Sequence, residues 1–147
     1  MPFKDMREFI ARLEEEGEAQ RIEEEVDWNL EAGAMLRRSA EEGLPAPFFR
    51  KIKDYPEGYR LFGGTVSKFR RMAIAMDMAP DTSLKELMEE YLRRKQQLIK
   101  PVLVNDGPCK ENIHVGDEID VLEFPVPMVH EDDGGRYIGT WHATVSK

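Results

Sequence analysis

Apolar residues recur at helical spacing near the start of the chain: Met6, Phe9, Ile10 and Leu13 fall on one face. Asp5 precedes them and Glu8 follows three residues later, the spacing of a helix cap. Gly17 supplies a stop, because glycine accepts the left-handed conformation that ends helices. Residues 18–26 alternate loosely around Ala19, Arg21 and Ile22, which predicts a mostly exposed strand. A second helix is predicted over 30–42, with Asp27 or Asn29 as cap and Gly43 as stop. Its small residues Ala32, Gly33 and Ala34 imply close packing against a sheet or another helix. Pro45 and Pro47 then force extended chain into Phe48, Phe49 and Ile52, a strand pattern.

A turn over 54–58 leads to a predicted strand over 60–66 that carries Gly63 and Gly64. Phe69, Met72, Ala73 and Met76 predict a helix over 67–78, broken by Pro80. The next helix has the strongest pattern. Ser83 and Glu86 repeat the capping spacing, and Leu84, Leu87, Met88, Tyr91 and Leu92 form one stripe. Arg93, Arg94 and Lys95 put cations at its C-terminal end, where the helix dipole favours them. Pro101 marks the exit, and residues 102–104 read as a short apolar strand. Beyond Asn105, Pro108, Pro125 and Pro127 and Gly107, Gly116, Gly134, Gly135 and Gly139 cut the chain into loops and short strands. The expected fold class is therefore α/β: a domain over 1–115, then the opening of a β-rich one over 116–147.

The length of 147 residues suits one domain, or one domain and the beginning of a second. A net charge of −8 argues against a general nucleic-acid binder, which needs a basic footprint on phosphate. No apolar run approaches the roughly 18 residues of a membrane span, and the acidic N-terminus does not read as a secretory signal. Cys109 is the only cysteine, so no internal disulfide forms; a single thiol fits a reducing cytoplasm.

Four groups of residues are chemically suggestive. Gly63 and Gly64, followed by Thr65, Ser67, Lys68, Arg70 and Arg71, could cradle an anion, although a tight strand-to-helix turn explains the glycines equally well. His130, Glu131, Asp132 and Asp133 could ligate a cation, but consecutive residues converge poorly on one ion, and a solvated acidic turn is the simpler reading. Thr140 and His142 share one face of an expected strand, with Trp141 opposite. Cys109 beside Lys110 lacks an identifiable base, which argues against a nucleophile. None of these groups assembles a catalytic constellation.

The segment PVPMVHEDDGGRYIGT from Pro125 to Thr140 is the most distinctive in the chain. With its neighbours it carries the pieces KEN, D-x-L-x-F-P-x-P and D-G-G-x-Y-I-x-T. These, with the opening DMREFIARLEEEGEAQRIEEEVDWNLE and the piece PAPFFRKIKDYP, resemble the UbiD family of decarboxylases over essentially the whole chain. The resemblance implies an N-terminal α/β domain followed by the first strands of a split β-barrel that holds a flavin. It implies a reversible, non-oxidative decarboxylase of aromatic, heteroaromatic or α,β-unsaturated acids, with a slight leaning toward phenolic acids. The implied cofactors are prenylated FMN, Mn2+ and K+, and the implied state is a cytoplasmic homo-oligomer acting on a small carboxylic acid. In such enzymes the cofactor carries the difficult chemistry and the protein positions it.

Family members are roughly three times longer than this chain, against the single domain its length suggests. The strand that binds metal and flavin phosphate, and the catalytic arginine and acids, match positions after Lys147. No catalytic or metal-binding residue is therefore carried over. Thr140 alone is expected near the flavin, and His142 and Tyr137 receive no role. The chain by itself is expected to be inactive. The rival expectation is a short, non-catalytic accessory subunit that completes a partner's barrel by strand addition through 137–147.

Overall fold

A computed structural model describes residues 2–138. The chain runs α1 (Met6–Glu15), β1 (Ala19–Val26), α2 (Glu31–Glu41), β2 (Ala46–Ile52), β3 (Leu61–Phe62), α3 (Phe69–Ala75) and α4 (Leu84–Lys95). Short 3-10 turns follow at Pro108–Lys110, Gly116–Glu118 and Val121–Glu123. Two compact units result, Met1–Thr82 with Phe124–Lys147, and Ser83–Glu123.

The first unit is built on a three-stranded sheet in the order β1-β2-β3. β1 and β2 are parallel, with Ala19 opposite Ala46 and Val26 opposite Ile52, and α2 crosses between them. β3 returns antiparallel to β2, with Phe48 opposite Phe62. Side chains alternate across a strand, so the sheet feeds two separate clusters. Phe9, Leu13, Ala19 and Ile74 pack together with Phe3 and Phe62 where α1 and α3 cover one side. Val26, Ala32, Phe49 and Ile52 pack with Ile22, Met35, Leu36, Trp28 and Tyr55 where α2 covers the other.

Helix ends follow the expected chemistry. Asp5 accepts from the Glu8 N–H at 3.0 Å, and α1 ends in a Schellman turn: Glu18 N–H donates to Leu13 O at 2.7 Å and Gly17, at φ 70°, donates to Glu14 O at 3.1 Å. The start of α2 differs from expectation. Neither Asp27 nor Asn29 caps it; the cap position is Leu30, whose φ is 69° and which has no side-chain cap bond. Leu30 N–H instead donates to Met128 O at 2.9 Å, so a distant segment sets this turn. The third strand is limited to Leu61–Phe62, and Gly63 after it lies so close to Leu36 that a Cβ would sit 2.2 Å from its Cδ2.

In the second unit, α4 has a complete capping box between Ser83 and Glu86. Residues 102–104 form no strand, contrary to their apolar pattern. A strand exists only when a neighbour pairs with its backbone. No helix among the described residues is long and apolar enough to cross a membrane.

Candidate functional site

The cationic side chains beside the glycine-rich turn are held by the protein itself. Arg71 is fully buried, and its Nε donates to Glu18 Oε2 at 3.0 Å. Its Nη1 donates to Gly64 O at 2.6 Å and Ser67 Oγ at 2.9 Å, and its Nη2 donates to Leu44 O at 2.5 Å. Arg70 also pairs with Glu18 at 3.0 Å, and Lys68 donates to Gly43 O. These cations hold the turn onto the end of α1 and the 43–45 loop. The simpler reading of the glycines, a tight turn, accounts for the geometry.

The acidic stretch is likewise a turn. His130 N–H donates to Asp133 Oδ2 at 2.9 Å, and Asp133 N–H donates to His130 O at 3.2 Å. Among the described residues, no three His, Cys, Asp or Glu side chains converge on a cation position. Cys109 is exposed and free.

The segment from Phe124 onward is where the sequence signal acquires a geometry. Pro125 and Pro127 are buried. Met128 forms a bridge to Asn29, with Met128 N–H donating to Trp28 O at 3.0 Å. Val129 runs against α2 at Gly33, where a Cβ would lie 2.7 Å from Val129 O and 2.8 Å from its Cα. The small residues of α2 thus serve two approaches: Ala32 packs on the sheet, as the sequence suggested, and Gly33 admits a crossing backbone. Arg136 then reaches back. Its Nε donates to Val126 O at 2.5 Å, and its Nη2 lies 2.5 Å from Tyr55 Oη and 3.4 Å from Phe124 O. The guanidinium carbon sits 4.1 Å above the Trp28 ring and 5.7 Å from the Tyr55 ring, within cation–π range. Single-sequence reasoning missed Trp28, Tyr55 and Arg136. Their separations in the chain, 81 residues between Tyr55 and Arg136, leave no local pattern. An arginine after a Gly-Gly turn, and tryptophan and tyrosine at element ends, were the available hints.

The cofactors implied by resemblance are not built by the described residues. The cationic side chains at 68–71 are engaged by Glu18 and backbone carbonyls, the acidic turn does not converge, and Thr140, Trp141 and His142 lie outside the described residues. No reaction step is therefore assigned to them.

Comparison with known proteins gives these segments a context. The family model for the 3-octaprenyl-4-hydroxybenzoate carboxy-lyase N-terminal domain matches residues 10–91, and that for the Rift-related domain of the same carboxy-lyase matches 100–147. Pyrrole-2-carboxylic acid decarboxylase of Pseudomonas aeruginosa is 34% identical over 146 residues, which is 93% of this chain and 29% of that protein. The vanillic acid decarboxylase of Sedimentibacter hydroxybenzoicus, in closed form, superposes with a TM-score of 0.82 at 34% identity, over 92% of this chain and 29% of that one. The UbiD-class enzyme HmfF of Pelotomaculum thermopropionicum, in an evolved dimeric form solved with prFMN, gives 0.70 at 30% identity, over 90% and 30%. This chain spans less than a third of the length of the relatives it matches. With both family models in register and the α/β fold shared, the chain belongs to the UbiD family of carboxy-lyases.

Proposed function

We propose that this chain is the N-terminal part of a cytoplasmic, reversible, non-oxidative decarboxylase of aromatic or α,β-unsaturated carboxylic acids that works with prenylated FMN, Mn2+ and K+. Residues 1–115 form its α/β domain and residues 116–147 open its flavin-binding barrel, with Thr140 near the flavin. The full-length enzyme is a homo-oligomer. The observation that carries this reading is the ordered match of the two carboxy-lyase family models along 10–91 and 100–147. Relatives named as decarboxylases of pyrrole-2-carboxylic and vanillic acid support the substrate class. The HmfF neighbour solved with prFMN supports the flavin.

In this reading the flavin carries the difficult chemistry, and the catalytic groups of the protein follow in the relatives' sequence beyond the position matching Lys147. Supplied with reconstituted prenylated FMN and Mn2+, the 147-residue chain releases no carbon dioxide from pyrrole-2-carboxylate or vanillate. Joined to the remaining sequence of the Pseudomonas relative, it does. Carbon dioxide release by the chain alone would show that the catalytic groups lie within it. A folded chimera that binds the flavin and still fails to decarboxylate any aromatic acid would reject the enzyme reading.

A further inference from the structure

The chain joins the first unit at Phe124, packs along it to Val129, and comes back beside Phe124 at Arg136. Arg136 joins the two ends, with hydrogen bonds to Val126 O at 2.5 Å and Phe124 O at 3.4 Å. Tyr55 Oη donates to the same Phe124 O at 3.0 Å. A compact loop of this length with adjoining ends is an Ω-loop, a class often used for function. Its acidic tip is closed by the His130–Asp133 turn.

The closure uses the shape of the guanidinium. Among the described residues, no carboxylate pairs with Arg136. Its contacts are two carbonyls, one hydroxyl and the faces of Trp28 and Tyr55. A flat, forked cation makes all of these at once, and an ammonium does not. The loop also holds Leu30 in the left-handed region at φ 69°, through Leu30 N–H to Met128 O. A bulky side chain persists there only where its surroundings over-determine it.

We propose that Arg136 is a positioning residue. Stacked on Trp28 and forked onto the 124 and 126 carbonyls, it closes the loop and fixes the point from which the chain continues toward residue 140. This role rests on the decarboxylase reading, because it matters to catalysis only if the barrel that follows holds the reacting groups. The clamp meets the core only at its edge: no residue of 124–138 is among the buried members of either cluster, although Trp28 and Tyr55, on which Arg136 stacks, pack against the second.

Amide hydrogen exchange on the 147-residue chain tests the closure directly. In Arg136→Met, Leu30 and Met128 exchange about tenfold faster or more, while Phe49 in β2 keeps its rate. Arg136→Lys does not restore the slow rates, because its ammonium cannot stack and fork together. Unchanged exchange at Leu30 and Met128 in Arg136→Met overturns the clamp. Equal acceleration at Phe49 overturns its local character. In the chimera with the Pseudomonas relative, Arg136→Met lowers kcat for pyrrole-2-carboxylate about tenfold at equal bound flavin, with KM within about twofold. An active chimera whose kcat does not move overturns positioning. If the unmutated chimera folds and binds the flavin but decarboxylates no aromatic acid, the decarboxylase reading falls, and the exchange result alone decides the closure.

Discussion

At the residue scale, two arginines show how differently one side chain can be held. Arg71 has no exposed surface and a carboxylate partner, Glu18, with three further acceptors in Gly64 O, Ser67 Oγ and Leu44 O. Arg136 is partly exposed and relies on rings and carbonyls. Removing one member of a buried ion pair leaves the other charged and undersolvated. Arg71→Met therefore costs about 3–5 kcal/mol, a large share of a small domain's stability, and the urea midpoint should fall accordingly. A loss below about 1 kcal/mol would mean that Glu18 finds full compensation from Arg70 and Lys68, its other cations. Neither arginine's role was legible from its neighbours. Arg71 sits beside Gly63-Gly64 and looks like an anion donor, but the carboxylate that holds it lies 53 residues earlier in the chain. Gly33 was legible in part: its size announces a close approach, while Val129 as the approaching backbone was not visible.

At the element scale, local chemistry was readable and pairing was not. Capping spacings at Asp5 and Ser83 and glycine stops at 17 and 43 mark helix ends that the structure reproduces within a residue or two. They are legible because the bonds they make are local. The cap of α2 escaped because Met128, nearly a hundred residues on, sets it. Residues 60–66 and 102–104 carry strand-like sequences, yet most of them pair with nothing described. α4 offers a measurable consequence of its charge pattern. Glu90 accepts from Arg93 Nε at 2.6 Å and Arg94 Nε at 2.5 Å, and these bonds pull its carboxyl down from 4.5 to about 2. Since the folded value is depressed, this contribution to α4 is complete above the ordinary carboxylate range and is lost as the pH falls toward about 2. An NMR titration of the Glu90 carboxyl should show that low midpoint, and Arg94→Ala should raise it. A midpoint already at the ordinary value in the unmutated chain would mean that the pairing does not form in solution.

At the scale of the whole molecule, the two units differ in how much they bury. The first has two apolar clusters around a sheet. In Ser83–Glu123, Leu87 alone is buried, while Leu98, Ile99, Val102, Leu103, Ile113 and Val121 are exposed. Single exposed apolar side chains are ordinary, but a succession of them along one stretch of chain marks a surface that another element covers. The stretch falls almost wholly in the region matched by the Rift-related family model, and the relatives continue for more than twice this chain's length. Strands in such a region acquire hydrogen bonds only when their neighbours are present. Amides of residues 98–123 in the 147-residue chain should therefore exchange near the unprotected rate, and several should slow by about a hundredfold once the rest of a relative's sequence follows. Protection already present in the chain alone would show that these residues complete their own structure. Absent protection in a folded, flavin-binding chimera would show that their apolar pattern serves a surface other than the barrel. The expected pair of results, exchange in the chain alone and protection in the chimera, would separate the first unit, whose core is built from its own residues, from a region whose order depends on the sequence that follows.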